Sequence, residues 1–128
     1  MKKILVADDK ASSRELIRVV LEHSGYQVEE AADGREALDC ALKQDPDLVL
    51  LDLQMPQLDG FAVVAELRKD QRFEKRPIVA LTAYAMQGDR EKALGAGFTS
   101  YVTKPVNLAE LRRHVAELLE TAEIRDPR

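Results

Sequence analysis

Five short apolar runs, each followed by a stretch of helical periodicity, constrain what this chain can fold into more tightly than anything else in it. The runs occupy residues 4–7, 28–32, 47–52, 77–82 and 99–103, the second being the weakest. Between their polar ends the third (Asp47-Leu48-Val49-Leu50-Leu51-Asp52) and fourth (Pro77-Ile78-Val79-Ala80-Leu81-Thr82) are continuously apolar, as central parallel strands covered on both faces should be. Ser12-Ser13-Arg14-Glu15 has capping-box spacing ahead of the stripe Leu16, Ile17, Val20 and Leu21, and Gly25 supplies a stop. Asp33-Gly34-Arg35-Glu36 opens a second helix carrying Ala37, Leu38, Ala41 and Leu42 on one face. Asp59 caps a third, with Phe61, Val64 and Leu67. A fourth, around residues 86–94, contains Gly88 and ends near Gly95 and Gly97. An internal Gly costs about 1 kcal/mol relative to Ala, so this helix is expected to be the loosest. Asn107-Leu108-Ala109-Glu110 caps the fifth, whose stripe is Leu108, Leu111, Val115, Leu118 and Leu119. Five β-α units predict an α/β fold, a doubly wound parallel sheet with right-handed crossovers.

The 128 residues fit one domain, and 45% hydrophobic with 33% charged residues is the composition of a soluble globular protein. Lys2 and Lys3 precede an apolar stretch, but Asp8-Asp9 cuts it off too early for a secretion signal. No apolar run approaches the roughly 20 residues that span a bilayer. The single cysteine, Cys40, excludes an internal disulfide and a thiolate metal cluster, so a cytoplasmic setting is the expectation. Net charge is −4 with acids and bases interspersed. Without a basic stripe, neither nucleic acid nor an anionic membrane is expected as a partner; proteins and ions are. The polar end of the chain, from Glu120, is expected to fray or begin a linker.

In a doubly wound sheet the functional edge lies outside the carboxyl ends of the strands. Here those ends carry Asp8-Asp9, Asp52, Thr82 and Lys104, so four of the five strands deliver a polar group to one edge. Three converging carboxylates repel one another unless a cation neutralises them, and hard oxygens at a partly open site suit Mg2+, with Mn2+ as a substitute. Such a metal can bridge to a phosphoryl oxygen. Lys104 offers an ammonium to a second oxygen and Thr82 a hydroxyl to a third, with backbone amides after the third and fourth strands completing a cradle. Asp52 is then positioned for in-line attack, with catalysis resting on placement and electrostatics.

The motifs Val6-Ala7-Asp8-Asp9, Leu50-Leu51-Asp52-Leu53-Gln54-Met55-Pro56, Leu58-Asp59-Gly60, Ala80-Leu81-Thr82-Ala83 and Tyr101-Val102-Thr103-Lys104-Pro105, in this order and at these spacings, resemble response-regulator receiver domains of the chemotaxis type over essentially the whole chain. The resemblance implies a flavodoxin-like fold with strand order 2-1-3-4-5, a receiver over residues 1–121 and a polar tail over 122–128. It implies that Asp52 is a phosphoacceptor serving a sensor histidine kinase or histidine phosphotransfer protein, rather than the nucleophile of an enzyme with its own substrate. Asp8, Asp9, Asp52 and the backbone carbonyl of Gln54 would hold Mg2+. Lys104 would pair with the phosphoryl group, ahead of a cis bond to Pro105. Thr82 and Tyr101 would form a switch that remodels the face of helix four, strand five and helix five, where a downstream protein docks. A monomer or weak dimer is expected.

Some residues depart from the pattern. Lys10 puts a positive charge beside the acidic pair, and Gln54 and Tyr84 stand two residues beyond Asp52 and Thr82, where the family tunes self-dephosphorylation. Taken singly, Asp8 and Asp9 could be helix-capping acids, Asp52 a turn former, Thr82 a satisfied strand-end hydroxyl, Lys104 a solvated lysine and Tyr101 a static core aromatic. Cys40, His23 and His114 have no ligand spacing and read as helix residues without chemistry. Five strand-like runs exclude a histidine phosphotransfer bundle. A dehalogenase-type phosphatase would need Asp-x-Asp after its first strand, and a flavin binder a Ser/Thr/Gly phosphate loop where this chain has two acids. A docking module that never uses Asp52 is disfavoured by the intact acidic set. Met1 directly before the first strand favours a stand-alone regulator over the receiver piece of a hybrid kinase or multidomain regulator.

Overall fold

The computed structural model describes residues 1–83 and 87–125. Strands β1 (Lys3–Ala7), β2 (Gln27–Ala31), β3 (Leu48–Asp52), β4 (Ile78–Thr82) and β5 (Ser100–Thr103) form one parallel sheet in the order 2-1-3-4-5, as expected. The helices are α1 (Ala11–His23), α2 (Gly34–Gln44), α3 (Gly60–Arg68), α4 (Gln87–Ala96) and α5 (Leu108–Arg125), with a short 3-10 turn over Gln71–Phe73.

Alternation along the strands divides the core in two. Ile4, Val6, Leu48, Leu50, Val79 and Leu81 meet Ile17 and Leu21 of α1 and Leu111, Val115 and Leu119 of α5. Leu5, Ala7, Val49, Leu51, Ile78 and Ala80 meet α2 and α3 through Ala37, Leu38, Ala41, Val63, Val64 and Leu67. Of α4, Ala93 is fully buried in that second layer while Leu94 is exposed, so the helix is held by little apolar surface. Tyr101 pairs in register with Ala80 and packs, half-buried, against the same layer; Thr82 lies two residues further along that face of the sheet.

Three of the expected caps form. Asp33 accepts from the Glu36 N–H at 2.8 Å, Asp59 from Ala62 at 2.9 Å and Asn107 from Glu110 at 3.0 Å. Each such cap contributes about 1 kcal/mol. The capping box at Ser12 does not form. Helix α1 begins at Ala11 with Lys10 as its N-cap and no side-chain cap, because Asp8 accepts from the Lys10 N–H at 2.9 Å and turns the chain into the helix early. Two expected core residues, Leu16 and Leu42, are instead exposed, since each lies off the inward face of its helix. Helix α5 runs on to Arg125, past the boundary expected at residue 121. Tyr84 and Met86 lie outside the described residues, as do 126–128.

Two glycines let the loops beside the functional edge close up. A Cβ on Gly60 would stand 2.7 Å from the Asp52 carbonyl oxygen and 3.0 Å from Leu53 Cα. One on Gly34 would stand 1.8 Å from the Leu58 carbonyl oxygen, which brings the start of α2 against the loop after β3. Both contacts are with backbone, which cannot swing aside.

Candidate functional site

The carboxyl ends of β1 and β3, neighbours in the sheet, bring Asp8 and Asp52 side by side, with Asp9 next to them. One carboxylate oxygen from each of the three lies within 4.8 Å of the others. Asp8 is wholly buried, Asp52 nearly so, and Asp9 exposed. Lys104, one residue beyond β5, reaches across the edge of the sheet, its Nζ donating at 2.9 Å to Asp8 Oδ2 and at 2.9 Å to Asp52 Oδ2. The Lys104 N–H donates to the Thr82 carbonyl at 2.7 Å, and the bond to Pro105 is cis, as the resemblance implied. Thr82 closes β4 and is buried.

Each buried carboxylate uses its other oxygen on a backbone amide: Asp8 Oδ1 accepts from Lys10 at 2.9 Å, and Asp52 Oδ1 from Gln54 at 3.0 Å. The modest reading of Asp52 as a turn former is therefore true of one of its oxygens, while the other faces the cluster. The Gln54 backbone is fixed beside Asp52 by the same bond.

The ionisation balance follows from these contacts. Burial pushes the Asp8 carboxyl up, but the Lys10 amide, the Lys104 ammonium and the Ser13 hydroxyl outweigh it and hold it below its ordinary value. Burial also pushes Asp52 up; Gln54 and Lys104 oppose it, the Asp8 charge adds to it, and the group ends above its ordinary value. Burial draws the Lys104 ammonium down, yet its two carboxylate partners prevail and hold it above. Three carboxylates facing one ammonium leave an excess of negative charge in oxygen ligands alone. That donor set fits a hard divalent cation such as Mg2+, which accepts few protein ligands and keeps several waters.

Of the residues expected at the site, Asp8, Asp9, Asp52, Lys104 and the Gln54 backbone converge, with Thr82 buried at the end of the neighbouring strand. Tyr101 stands further back along β5. Lys10 is exposed and engages the cluster through its backbone amide. Cys40 and His114 lie apart from it. His114 Nε2 is 2.5 Å from Ser100 Oγ and ties α5 to β5; burial raises the Cys40 thiol pKa, and the neighbouring Glu29 and Glu36 add to it. The sequence reading missed Arg14, whose guanidinium donates to the Asp8 carbonyl at 2.7 Å and to Glu30 of β2 at 3.0 Å. It missed Arg68 as well, which ties α3 to the Gly97 carbonyl at 2.9 Å, the Arg76 carbonyl at 2.7 Å and Thr99 Oγ1 at 3.1 Å. Neither carries a pattern legible in sequence, because most of their acceptors are backbone carbonyls.

Residues 4–116 match the family model described as the response regulator receiver domain. The polar-differentiation response regulator DivK of Brucella ovis is 36% identical over 107 residues, covering 84% of this chain and 87% of DivK. The DNA-binding dual master transcriptional regulator RpaA of a Synechocystis strain is 37% identical over 119 residues, and there the match spans 93% of this chain but only 49% of the relative. Among solved structures, the receiver domain of the sensor histidine kinase PA1611 from Pseudomonas aeruginosa, with a magnesium ion coordinated in its active-site cleft, superposes with a TM-score of 0.85. It is 38% identical, and the match covers 93% of this chain and 98% of that one.

Proposed function

This chain belongs to the response-regulator receiver domains, and from that premise we propose that Asp52 accepts a phosphoryl group in a Mg2+-dependent reaction. The observation that carries the proposal is the shared Lys104 ammonium, 2.9 Å from both Asp8 and Asp52, within a cluster of three carboxylates. Asp8, Asp9, Asp52 and the Gln54 carbonyl would hold the metal, and a magnesium ion is present in the cleft of the PA1611 receiver. Bound there, Mg2+ (or Mn2+) supplies charge neutralisation between the carboxylates and an incoming phosphoryl oxygen.

The chain's own residues do the rest. An Asp52 oxygen attacks the phosphorus of a phosphohistidine on a sensor kinase or phosphotransfer protein; the P–N bond breaks as the acyl phosphate P–O bond forms. The nucleophile needs no general base, because it reacts as the carboxylate. Lys104 exchanges one carboxylate partner for a phosphoryl oxygen, and the Thr82 hydroxyl donates to another. Thr82 shares a sheet face with Tyr101, so its displacement would be felt by Tyr101 and by the lightly anchored α4. The readout would be a change in the face formed by α4, β5 and α5, offered to a downstream protein. No described helix is long and apolar enough to cross a membrane. A cytoplasmic setting and a monomer or weak dimer fit this reading.

Intact mass spectrometry tests it. With acetyl phosphate and Mg2+ the protein gains the mass of one phosphoryl group, whereas Asp52→Asn or added EDTA leaves the mass unchanged. A phosphoryl group gained by Asp52→Asn would refute the assignment.

A further inference from the structure

The two acids at the end of β1 are held very differently. Asp8 is gripped through its side chain by Lys10 and Lys104. Asp9 is exposed, and its carboxylate has no hydrogen-bond partner among the described residues. Its placement against Asp8 and Asp52 therefore depends on the backbone, above all on the peptide joining Asp8 to Asp9. On one side of that turn the Asp8 N–H donates to the Ala31 carbonyl of β2 at 3.1 Å. On the other, the carbonyl of the Asp8–Asp9 peptide accepts from the Arg14 guanidinium at 2.7 Å. Arg14 is itself oriented, through Nε at 3.0 Å from Glu30, by a residue on the strand paired with β1. Glu30 also pairs with Arg18 at 3.1 Å, so two cations of α1 converge on it.

We infer that Arg14 is the positioning residue for the acidic turn, fixing the plane of the Asp8–Asp9 peptide and with it the carboxylate that Asp9 offers to the metal. The inference rests on the Mg2+ reading above and names a residue that touches neither metal nor phosphoryl group. Partners one step removed from a metal's ligands commonly change affinity by 10–100-fold when lost. The sign separates positioning from simple charge. Removing a cation beside a cation site, taken as electrostatics alone, tightens Mg2+ binding; loss of positioning weakens it. Lysine keeps the charge but lacks the fork that spans the carbonyl and Glu30 together.

The test is Mg2+ binding by isothermal titration calorimetry on wild type, Arg14→Lys and Arg14→Met, with the metal-free Tm of each measured alongside. Expected is a loss of about tenfold in affinity for Arg14→Met and a smaller loss for Arg14→Lys. Unchanged or tighter binding by Arg14→Met overturns the inference. Should Arg14→Met fail to fold, Arg14→Lys decides, and affinity equal to wild type overturns it. If the wild type itself binds no Mg2+, the functional reading falls too, an outcome distinct from equal binding by all three proteins.

Discussion

Replacing Asp52 by Asn should make the metal-free protein more stable, although it destroys the proposed function. Asp52 lies 2.9 Å from the Lys104 ammonium, an attraction of about 6 kcal/mol at an effective dielectric constant near 20. Against it stands the Asp8 carboxylate, within 4.8 Å, a repulsion of at least about 3 kcal/mol on the same basis. The lysine thus outweighs Asp8 by roughly 2–3 kcal/mol, a margin that the exposed and solvent-screened Asp9 carboxylate, also within 4.8 Å, narrows further. Removing a carboxylate from water costs several kcal/mol, and Asp52 is nearly buried. The upward displacement of its carboxyl, with burial as the largest cause, has the sign this comparison requires. Asparagine keeps the shape and can still accept the Gln54 amide, so a gain of about 1 kcal/mol is expected, or roughly 4 °C in Tm for a domain of this size. The pH dependence follows from the same sign. With its pKa raised in the fold, Asp52 contributes stability that is fully present below its unfolded value of 3.8 and lost as pH rises through the folded value. The advantage of Asp52→Asn should accordingly be small in acid, where both proteins carry a neutral side chain, and full at neutral pH. Urea denaturation followed by far-UV circular dichroism, in EDTA, measures it. A variant equal to or less stable than wild type at neutral pH would refute the claim that burial outweighs the lysine.

Lys104→Met leaves two buried carboxylates without their shared cation; a loss of about 3 kcal/mol is expected in EDTA, together with tighter Mg2+ binding, since the lysine competes with the metal for the same oxygens. Calorimetry with Mg2+ and urea melts check the two halves, and weaker metal binding would contradict the competition. Gly60→Ala forces a methyl group to within 2.7 Å of the Asp52 carbonyl, at an expected cost of about 1–3 kcal/mol that the same melts would register.

The strands were legible because β3 and β4, buried on both faces, are written in consecutive apolar residues with charged or hydroxyl ends. Helices α2, α3 and α5 were legible from Asp33, Asp59 and Asn107, whose capping roles are local. Helix α1 misled for a tertiary reason: Asp8, held by Lys104 from 96 residues away, turns the chain at Lys10 and pre-empts the serines. Leu16 and Leu42 misled because a helical stripe fixes a face only to within a residue or so, and neither falls under the sheet. Lys104 as a site residue was legible only from the set of strand ends taken together, since a lone lysine after a strand has no local signature. The necessity of Gly60 and Gly34 shows only in the approach of backbone from other segments.

The site combines two arrangements that oppose each other in the metal-free state. Lys104 and the backbone amides stabilise Asp8, and burial beside that same Asp8 destabilises ionised Asp52. If the fold were optimised for stability alone, an uncharged residue would stand at position 52, as the Asp52→Asn expectation makes plain. Retaining a carboxylate there is intelligible when the missing positive charge arrives with a ligand, because binding to the folded state alone restores stability by mass action. Under the proposed function, both the metal and the pull of Lys104 toward a phosphoryl oxygen would then act on a site that is already assembled. A carboxylate that burial disfavours in the metal-free fold thereby has interactions that would improve on ligand binding, as the trigger of a two-state switch would require.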